Sequence, residues 1–307
     1  MIFTLTLNPS IDYVVHLDRF ESGITNRTTG EEYYIGGKGL NVSFMLAELG
    51  IESTAFGFTA GFTGAAIAGG ILGKGIRSDF IRLQNGLSRI NIKIKAEQES
   101  EINCQGPDIS ESEFIQLLRK VEAIKDGDTI VLAGSIPKTM SDDTYVRILK
   151  HLGGKDVRIV VDATKKLLMN CLPYRPFLIK PNRQELSEMF KTTVETAEQT
   201  ETCARELMKM GARNVIVSLG GQGAVLFAED GKTYRTGVLK EKVVSTVGSG
   251  DSMVAGFIAG YEQKKDYGYA LKLGTACGNA TAFSAGIAKK EKVMEVLEKI
   301  TVTEKNN

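Results

Sequence analysis

The chain has 307 residues, enough for one large core or two smaller ones, and a formal net charge of +1 from 38 basic and 37 acidic side chains. The two signs are interspersed, which argues against a binder of nucleic acid or membrane surface and points to a small-molecule ligand. Cys104, Cys171, Cys203 and Cys277 stand far apart without a CxxC pair, and only His16 and His151 supply imidazole, so neither a structural zinc site nor a disulfide framework is expected.

The amino terminus MIFTLTLNPS lacks a basic region followed by a cleavable apolar core, and no apolar run reaches the length of a membrane span, so the expectation is a cytoplasmic protein. Ile2 to Leu7 reads as a buried strand. Asn8-Pro9-Ser10-Ile11-Asp12 follows it and places Asp12 where a carboxylate either binds a pair of sugar hydroxyls or stabilises a turn. Two segments, Ile11 to Tyr34 and Arg89 to Cys104, alternate polar and apolar residues with the period of half-exposed antiparallel strands. They predict a small sheet that either covers the site as a lid and excludes water or extends the edge of the main sheet. Arg27 and Arg89 lie in these segments; a guanidinium suits a substrate phosphate, although exposed arginines are common.

Between them, Ile35-Gly36-Gly37-Lys38-Gly39-Leu40-Asn41-Val42 is a glycine turn running into a predicted helix over Gly39 to Leu49. Lys38 and Asn41 share a face of its first turn, where a cation and an amide can hold sugar hydroxyls or a phosphate, while Gly36 and Gly37 admit the ligand close to the backbone. This is not a Walker A loop, because Gly39 follows Lys38 where Ser or Thr is required. Strands are predicted over Thr54 to Phe58, Thr129 to Leu132, Arg158 to Val161, Phe177 to Ile179 and Asn214 to Ser218. Helices over Glu111 to Ala123, Asp142 to Leu152, Gln184 to Phe190 and Ala197 to Met210 alternate with them. That order predicts a mainly parallel sheet with helices on both faces and a ligand crevice at its carboxyl edge.

Three motifs lie along this carboxyl-terminal half. Asn182, with Glu185 three residues on, reads as a helix cap, as a pair orienting waters on Mg²⁺, or as both. Ser218-Leu219-Gly220-Gly221-Gln222-Gly223-Ala224 is a glycine-rich turn between two apolar strands, either a hairpin or a floor beneath a nucleotide. Thr246 to Phe257 sets a carboxylate on a glycine turn where an apolar helix begins. Free N–H groups from Gly248, Ser249, Gly250 and Asp251 favour an anion there, and Asp251 could accept a proton from an attacking hydroxyl. The bland reading is that Asp251 only caps the helix. After Lys289 the chain reads as a last amphipathic helix and a frayed, charged end.

Taken in this order, the motifs resemble the ribokinase-like, or PfkB, family of carbohydrate kinases over essentially the whole chain. Gly36-Gly37-Lys38-Gly39-Leu40-Asn41 is similar to the family's amino-terminal signature, Asn182 to Glu185 to its central one and Thr246 to Phe257 to its carboxyl-terminal one. The resemblance implies a single domain over 1–307, a Rossmann-like αβα sandwich with a mainly parallel sheet plus a small β-sheet lid from excursions at about 11–35 and 88–106. It implies ATP as donor, Mg²⁺ as required metal, Asp251 as base and the amides of Gly248 to Asp251 as anion hole. Asn182 and Glu185 would stand near the metal, through water, and Lys180, Ser218, Gly220, Gly223 and Asn279 near the nucleotide.

Thr4 to Asp12 and Ser88 to Ile94 look like the branch of the family acting on phosphorylated ketohexoses. That branch implies conversion of fructose 1-phosphate to fructose 1,6-bisphosphate, with Asp12, Lys38 and Asn41 on the sugar, and Arg89 with Lys38 or Arg27 on its phosphate. A tagatose 6-phosphate or fructose 6-phosphate kinase is the alternative, and a homodimer through the lid is expected. Two departures stand out: Cys104 occupies a position where glycine is expected, and Asp162-Ala163-Thr164-Lys165 lacks a serine-glycine ending, in a region given no catalytic part. A sugar-phosphate sensor without chemistry would not need a carboxylate beside an anion site. A nicotinamide enzyme would need a G-x-G-x-x-G after the first strand, which is absent.

Overall fold

In the computed structural model, which describes residues 1–163, 165–237 and 239–306, the apolar runs become strands of one wide sheet. The strands in chain order are β1 (Ile2–Thr6), β2 (Ser10–His16), β3 (Gly30–Gly36), β4 (Ser53–Ala60), β5 (Arg77–Ser78), β6 (Ile81–Leu83), β7 (Arg89–Lys95), β8 (Ser100–Asn103), β9 (Thr129–Ala133), β10 (Arg158–Asp162), β11 (Leu178–Ile179), β12 (Val215–Ser218), β13 (Ala224–Phe227), β14 (Lys232–Thr236) and β15 (Val302–Asn306). The helices are α1 (Lys38–Glu48), α2 (Gly61–Leu72), α3 (Glu111–Glu122), α4 (Thr144–His151), α5 (Lys165–Cys171), α6 (Arg183–Phe190), α7 (Ala197–Lys209), α8 (Ser249–Lys264), α9 (Tyr267–Ala282) and α10 (Lys290–Lys299).

The main sheet runs β15-β14-β13-β12-β11-β10-β9-β1-β4-β5, with β6 also on β4. Every pair from β5 to β12 is parallel, and β12 to β15 form an antiparallel edge. One face buries Val42 and Met45 of α1, Phe257 of α8, Leu271 of α9 and Val293 of α10. The other buries Phe114 of α3, Tyr145 of α4, Leu186 of α6 and Leu207 of α7. Central strands covered on both sides carry continuous apolar runs, which is why they were legible.

Three elements depart from the sequence reading. The tail is not frayed after α10: Val302–Asn306 pairs antiparallel with β14, covering an edge that would otherwise stand open, with Glu304 of β15 2.6 Å from Lys232 of β14. Helix α2 carries four glycines, and Phe62 and Leu72 on its exposed side blur the apolar stripe that marks a helix. Helix α9 is small-residue rich and lies against α8 so closely that a Cβ on Gly256 would come 2.7 Å from Sγ of Cys277. That contact fixes α8, and with it the glycine turn at its start.

The alternating segments build a separate four-stranded sheet, β3-β2-β7-β8. Its central pair β2 and β7 is parallel, not antiparallel as the alternation suggested, because period two marks a half-exposed strand of either sense. Ile11 and Ile35 pack on a cluster formed by Leu40, Phe44, Ile67 and Ile71 of α1 and α2. On the opposite side, alternation sets Ser10, Asp12, Arg89 and Asn91 on one face. No helix among the described residues is long and apolar enough to cross a membrane.

Candidate active site

From β1 the chain moves to β4 on one side of it and later returns to β9 on the other, so β1 and β9 flank a topological switch point, where an open α/β sheet leaves a crevice at its carboxyl edge. A cavity of about 220 Å³ lies there. Thr6 and Asn8 line it from the end of β1, Ala133, Gly134 and Ser135 from β9, Ala163 from β10, Gly37 and Lys38 from the start of α1, and Arg89 from the small sheet. Two cations and the open amino end of α1 make this wall suited to an anion. Nε of Arg89 donates to the Asn8 carbonyl across 3.2 Å, so the guanidinium is tied to the main sheet. Burial draws its pKa down, opposed by Asp12 and Cys104; Cys104 itself is an exposed free thiol.

Asp162, at the end of β10, is the hub of the polar cluster beside this cavity. It is 2% exposed. Its Oδ2 accepts from Nζ of Lys38 across 3.3 Å, and its Oδ1 lies 3.5 Å from Nζ of the buried Lys180. Burial alone would raise its pKa, but the two ammonium groups outweigh that and hold the carboxyl below the usual range. Lys38 in turn is half-buried, and the desolvation of its ammonium would lower its pKa, yet Asp162, Asp251 and Glu185 together raise it. Sequence reasoning passed over Asp162; the signal was a carboxylate ending a strand on the ligand edge of the sheet. Thr164, in the same departure, lies outside the described residues.

Asp251 lies in the first turn of α8, and Gly248 at φ +76° turns the chain into that helix in the left-handed region that glycine tolerates. A Cβ on Gly248 would meet Cδ1 of Ile287 at 2.7 Å, and one on Gly250 would meet Nζ of Lys180 at 3.0 Å. No side chain caps this helix end; the Ser249 amide donates to the Thr246 carbonyl across 3.3 Å, and the amides of Gly248, Gly250 and Asp251 have no partner among the described residues. The bland reading of Asp251 as a cap is thereby excluded. Its Oδ2 instead accepts from Nδ2 of Asn41 across 2.8 Å. Asn41, expected on the sugar, is turned to this carboxylate. Burial and the nearby Asp162 charge push the Asp251 carboxyl up to about 7 against the pull of Lys38, Asn41 and Lys180.

The remaining expected residues fall at the ends of β11 and β12. Asn182 and Ser218 form an isolated parallel bridge, which brings the two motifs side by side. Asn182 and Glu185 form a capping box: Oδ1 of Asn182 accepts from the Glu185 amide across 2.8 Å, and Oε2 of Glu185 from the Asn182 amide across 2.9 Å. Among the described residues no group of three or more His, Cys, Asp or Glu converges as a metal cage. Glu185 and Asn182 offer a carboxylate and an amide oxygen, donors of the hard type that a largely hydrated Mg²⁺ takes. Gly220 and Gly221 leave open space above the turn, whereas at Gly223, with φ +90°, a Cβ would meet the Thr236 carbonyl oxygen at 2.0 Å, so the turn needs glycine there. Nδ2 of Asn279 is buried without a partner among the described residues, and its neighbour Gly278 lies against the Ser249 carbonyl. Arg27 is exposed on the loop between β2 and β3 and lines no part of the cavity. Asp12 stands on the small sheet, held by Ser10 and Asn91.

Residues 5–292 match the pfkB family of carbohydrate kinases. The chain is 41% identical to 1-phosphofructokinase of Bacillus subtilis over 99% of each chain. It is 37% identical to D-tagatose-1-phosphate kinase of Bacillus licheniformis, again over 99% of each. Among solved structures it is similar to phosphofructokinase-2 from Escherichia coli in complex with substrates and products, with a TM-score of 0.91, 25% identity and 97% and 98% of the two chains covered.

Proposed function

The chain belongs to the pfkB family of carbohydrate kinases, phosphotransferases with an alcohol acceptor, and we propose that it transfers the γ-phosphoryl group of ATP to fructose 1-phosphate, giving fructose 1,6-bisphosphate and ADP. The observation that carries this reading is the buried Asp251 carboxylate at an uncapped helix start, beside a cavity walled by Lys38 and Arg89. The sugar phosphate's existing anion lies at Lys38 and Arg89. That directs the free hydroxymethyl group toward Asp251.

Asp251 accepts the proton of that hydroxyl as its oxygen forms a bond to the γ-phosphorus, and the bond from that phosphorus to the ADP oxygen breaks. Asn41 holds Oδ2 of Asp251, which leaves Oδ1 to take the proton. The amides of Gly248 to Asp251 stabilise charge on the transferring group, and Lys180 adds a fixed positive charge beneath the turn. Asn182 and Glu185 would hold Mg²⁺ through water, and the ion would neutralise phosphate charge. Ser218, Gly220 and Asn279 border the nucleotide. The small sheet acts as the lid of a single domain, excluding water that would otherwise take the phosphoryl group.

The test is ADP release with fructose 1-phosphate, tagatose 1-phosphate, fructose 6-phosphate, tagatose 6-phosphate and ribose at matched concentrations, in a cytoplasm-like buffer with and without Mg²⁺. A preference for fructose 1-phosphate is expected, and no release with any sugar overturns the kinase reading. Tagatose 1-phosphate is the second reading, favoured by the Bacillus licheniformis relative. Both competitors then carry their phosphate on carbon 1, so the alternative differs from fructose 1-phosphate in one hydroxyl configuration rather than in phosphate position.

A homodimer through the small sheet completes the proposal. Tyr33, Tyr13, Ile92 and Ile102 are register partners across all four strands, and Tyr33 and Ile102 are 68% and 52% exposed. An apolar row of this kind is a surface for a second copy. Sedimentation of Tyr33→Glu at monomer mass, against a wild-type dimer, supports it; a monomeric wild type sinks it.

A further inference from the structure

Asp12 is held by two donors on one oxygen. Its Oδ1 accepts from Oγ of Ser10 across 3.0 Å and from Nδ2 of Asn91 across 2.8 Å. Asp12 and Asn91 are register partners on the parallel strands β2 and β7, so both side chains stand on the same face as Arg89, which lines the cavity. Oδ2 of Asp12 lies over Gly36 of β3, where a Cβ would come within 2.8 Å of it and 2.9 Å of Oγ of Ser10.

Asn91 is 7% exposed, and its own Oδ1 is buried without a partner among the described residues. Leaving a buried carbonyl unpaired carries its full desolvation cost. Turning the amide over would not remove that cost, because it would press Oδ1 against the Asp12 carboxylate, which only accepts. The amide therefore keeps its donor on Asp12 and leaves its acceptor unmet. An apolar side chain would fill the same space in the sheet without that cost.

We infer that Asn91 is a positioning residue for sugar recognition: with Ser10 it fixes Oδ1 of Asp12, so that Oδ2 faces the hydroxyls of the ketohexose phosphate. The inference rests on the proposed reading of Asp12 as a sugar ligand. Asn91 acts through Asp12 and touches neither the nucleotide nor the transferring group.

The experiment compares Asn91→Ala, Asp12→Asn and the double variant by KM for fructose 1-phosphate, KM for ATP, kcat and melting temperature. Asn91→Ser, which keeps a small polar side chain on β7, replaces the alanine variant if that fails to fold. Asn91→Ala should raise the sugar-phosphate KM about tenfold, the loss of one hydrogen bond to a charged group, with kcat and the ATP KM nearly unchanged. In the Asp12→Asn background it should add nothing. Multiplying effects in the double variant, or a rise in both KM values together, overturns the positioning role alone. An Asp12→Asn enzyme with normal sugar-phosphate KM overturns the reading of Asp12 and this inference with it. A wild type inactive on every phosphorylated ketohexose overturns the kinase proposal itself.

Discussion

Nδ2 of Asn41 donates to Oδ2 of Asp251 across 2.8 Å and so joins the first turn of α1 to the first turn of α8. Two helix starts that lie 210 residues apart in sequence thereby share one carboxylate. If that carboxylate is the base, Asp251→Asn should lower kcat by ~10² to 10⁴ while the dissociation constant for ATP stays close to wild type. Rapid-quench turnover and calorimetric ATP titration check the two halves, and turnover within threefold of wild type removes the assignment.

With its carboxyl raised to about 7, Asp251 holds a proton below that pH and can accept one only above it, so kcat/KM should climb as pH rises through about 7. Asn41 pulls this pKa down, so Asn41→Ala should move the rise to higher pH. Asp162 pushes it up, so Asp162→Asn should move the rise to lower pH. Initial-rate profiles of the three enzymes test all three directions.

Asp162→Asn should also cost stability. It leaves Lys180, 7% exposed, without the carboxylate 3.5 Å away, and breaking a buried pair from one side costs about 3–5 kcal/mol. Because the folded-state carboxyl is held below its ordinary value, the wild type keeps this contribution at neutral pH and loses it as pH falls into the acid range. Urea unfolding at pH 7 and at lower pH measures both effects; equal midpoints for variant and wild type at pH 7 count against the hub role.

Gly248→Ala should damage the turn itself. A left-handed φ of +76° costs a side chain about 1–2 kcal/mol, and the added Cβ meets Cδ1 of Ile287 at 2.7 Å. Melting temperature and kcat should fall together, whereas Gly69→Ala, in open space on α2, should lower neither.

Much of this was legible beforehand. The strand at Arg158 to Val161 and the helix at Ala197 to Met210 appear within a residue or so, because a two-sided core forces apolar runs into strands and an amphipathic stripe into helices. Helix α2 was not, since its glycines and exposed Phe62 erase the stripe. The tail strand was not either, because what makes Val302–Asn306 a strand is the waiting edge of β14, an influence from far along the chain.

For the site, local sequence sufficed for the glycine turns, the capping box at Asn182 and Glu185, and the presence of Asp251 at a helix start, because turn geometry and capping depend on neighbours within a few residues. Partnership did not follow from it. That Asn41 holds Asp251, that Asp162 stands between Lys38 and Lys180, and that Asn91 holds Asp12 depend on strand order and register, which bring residues far apart in sequence to hydrogen-bonding distance. The same packing sets the charges: a carboxyl takes its pKa from burial and from the ions that surround it, and both arise only when the sheet and its helices assemble.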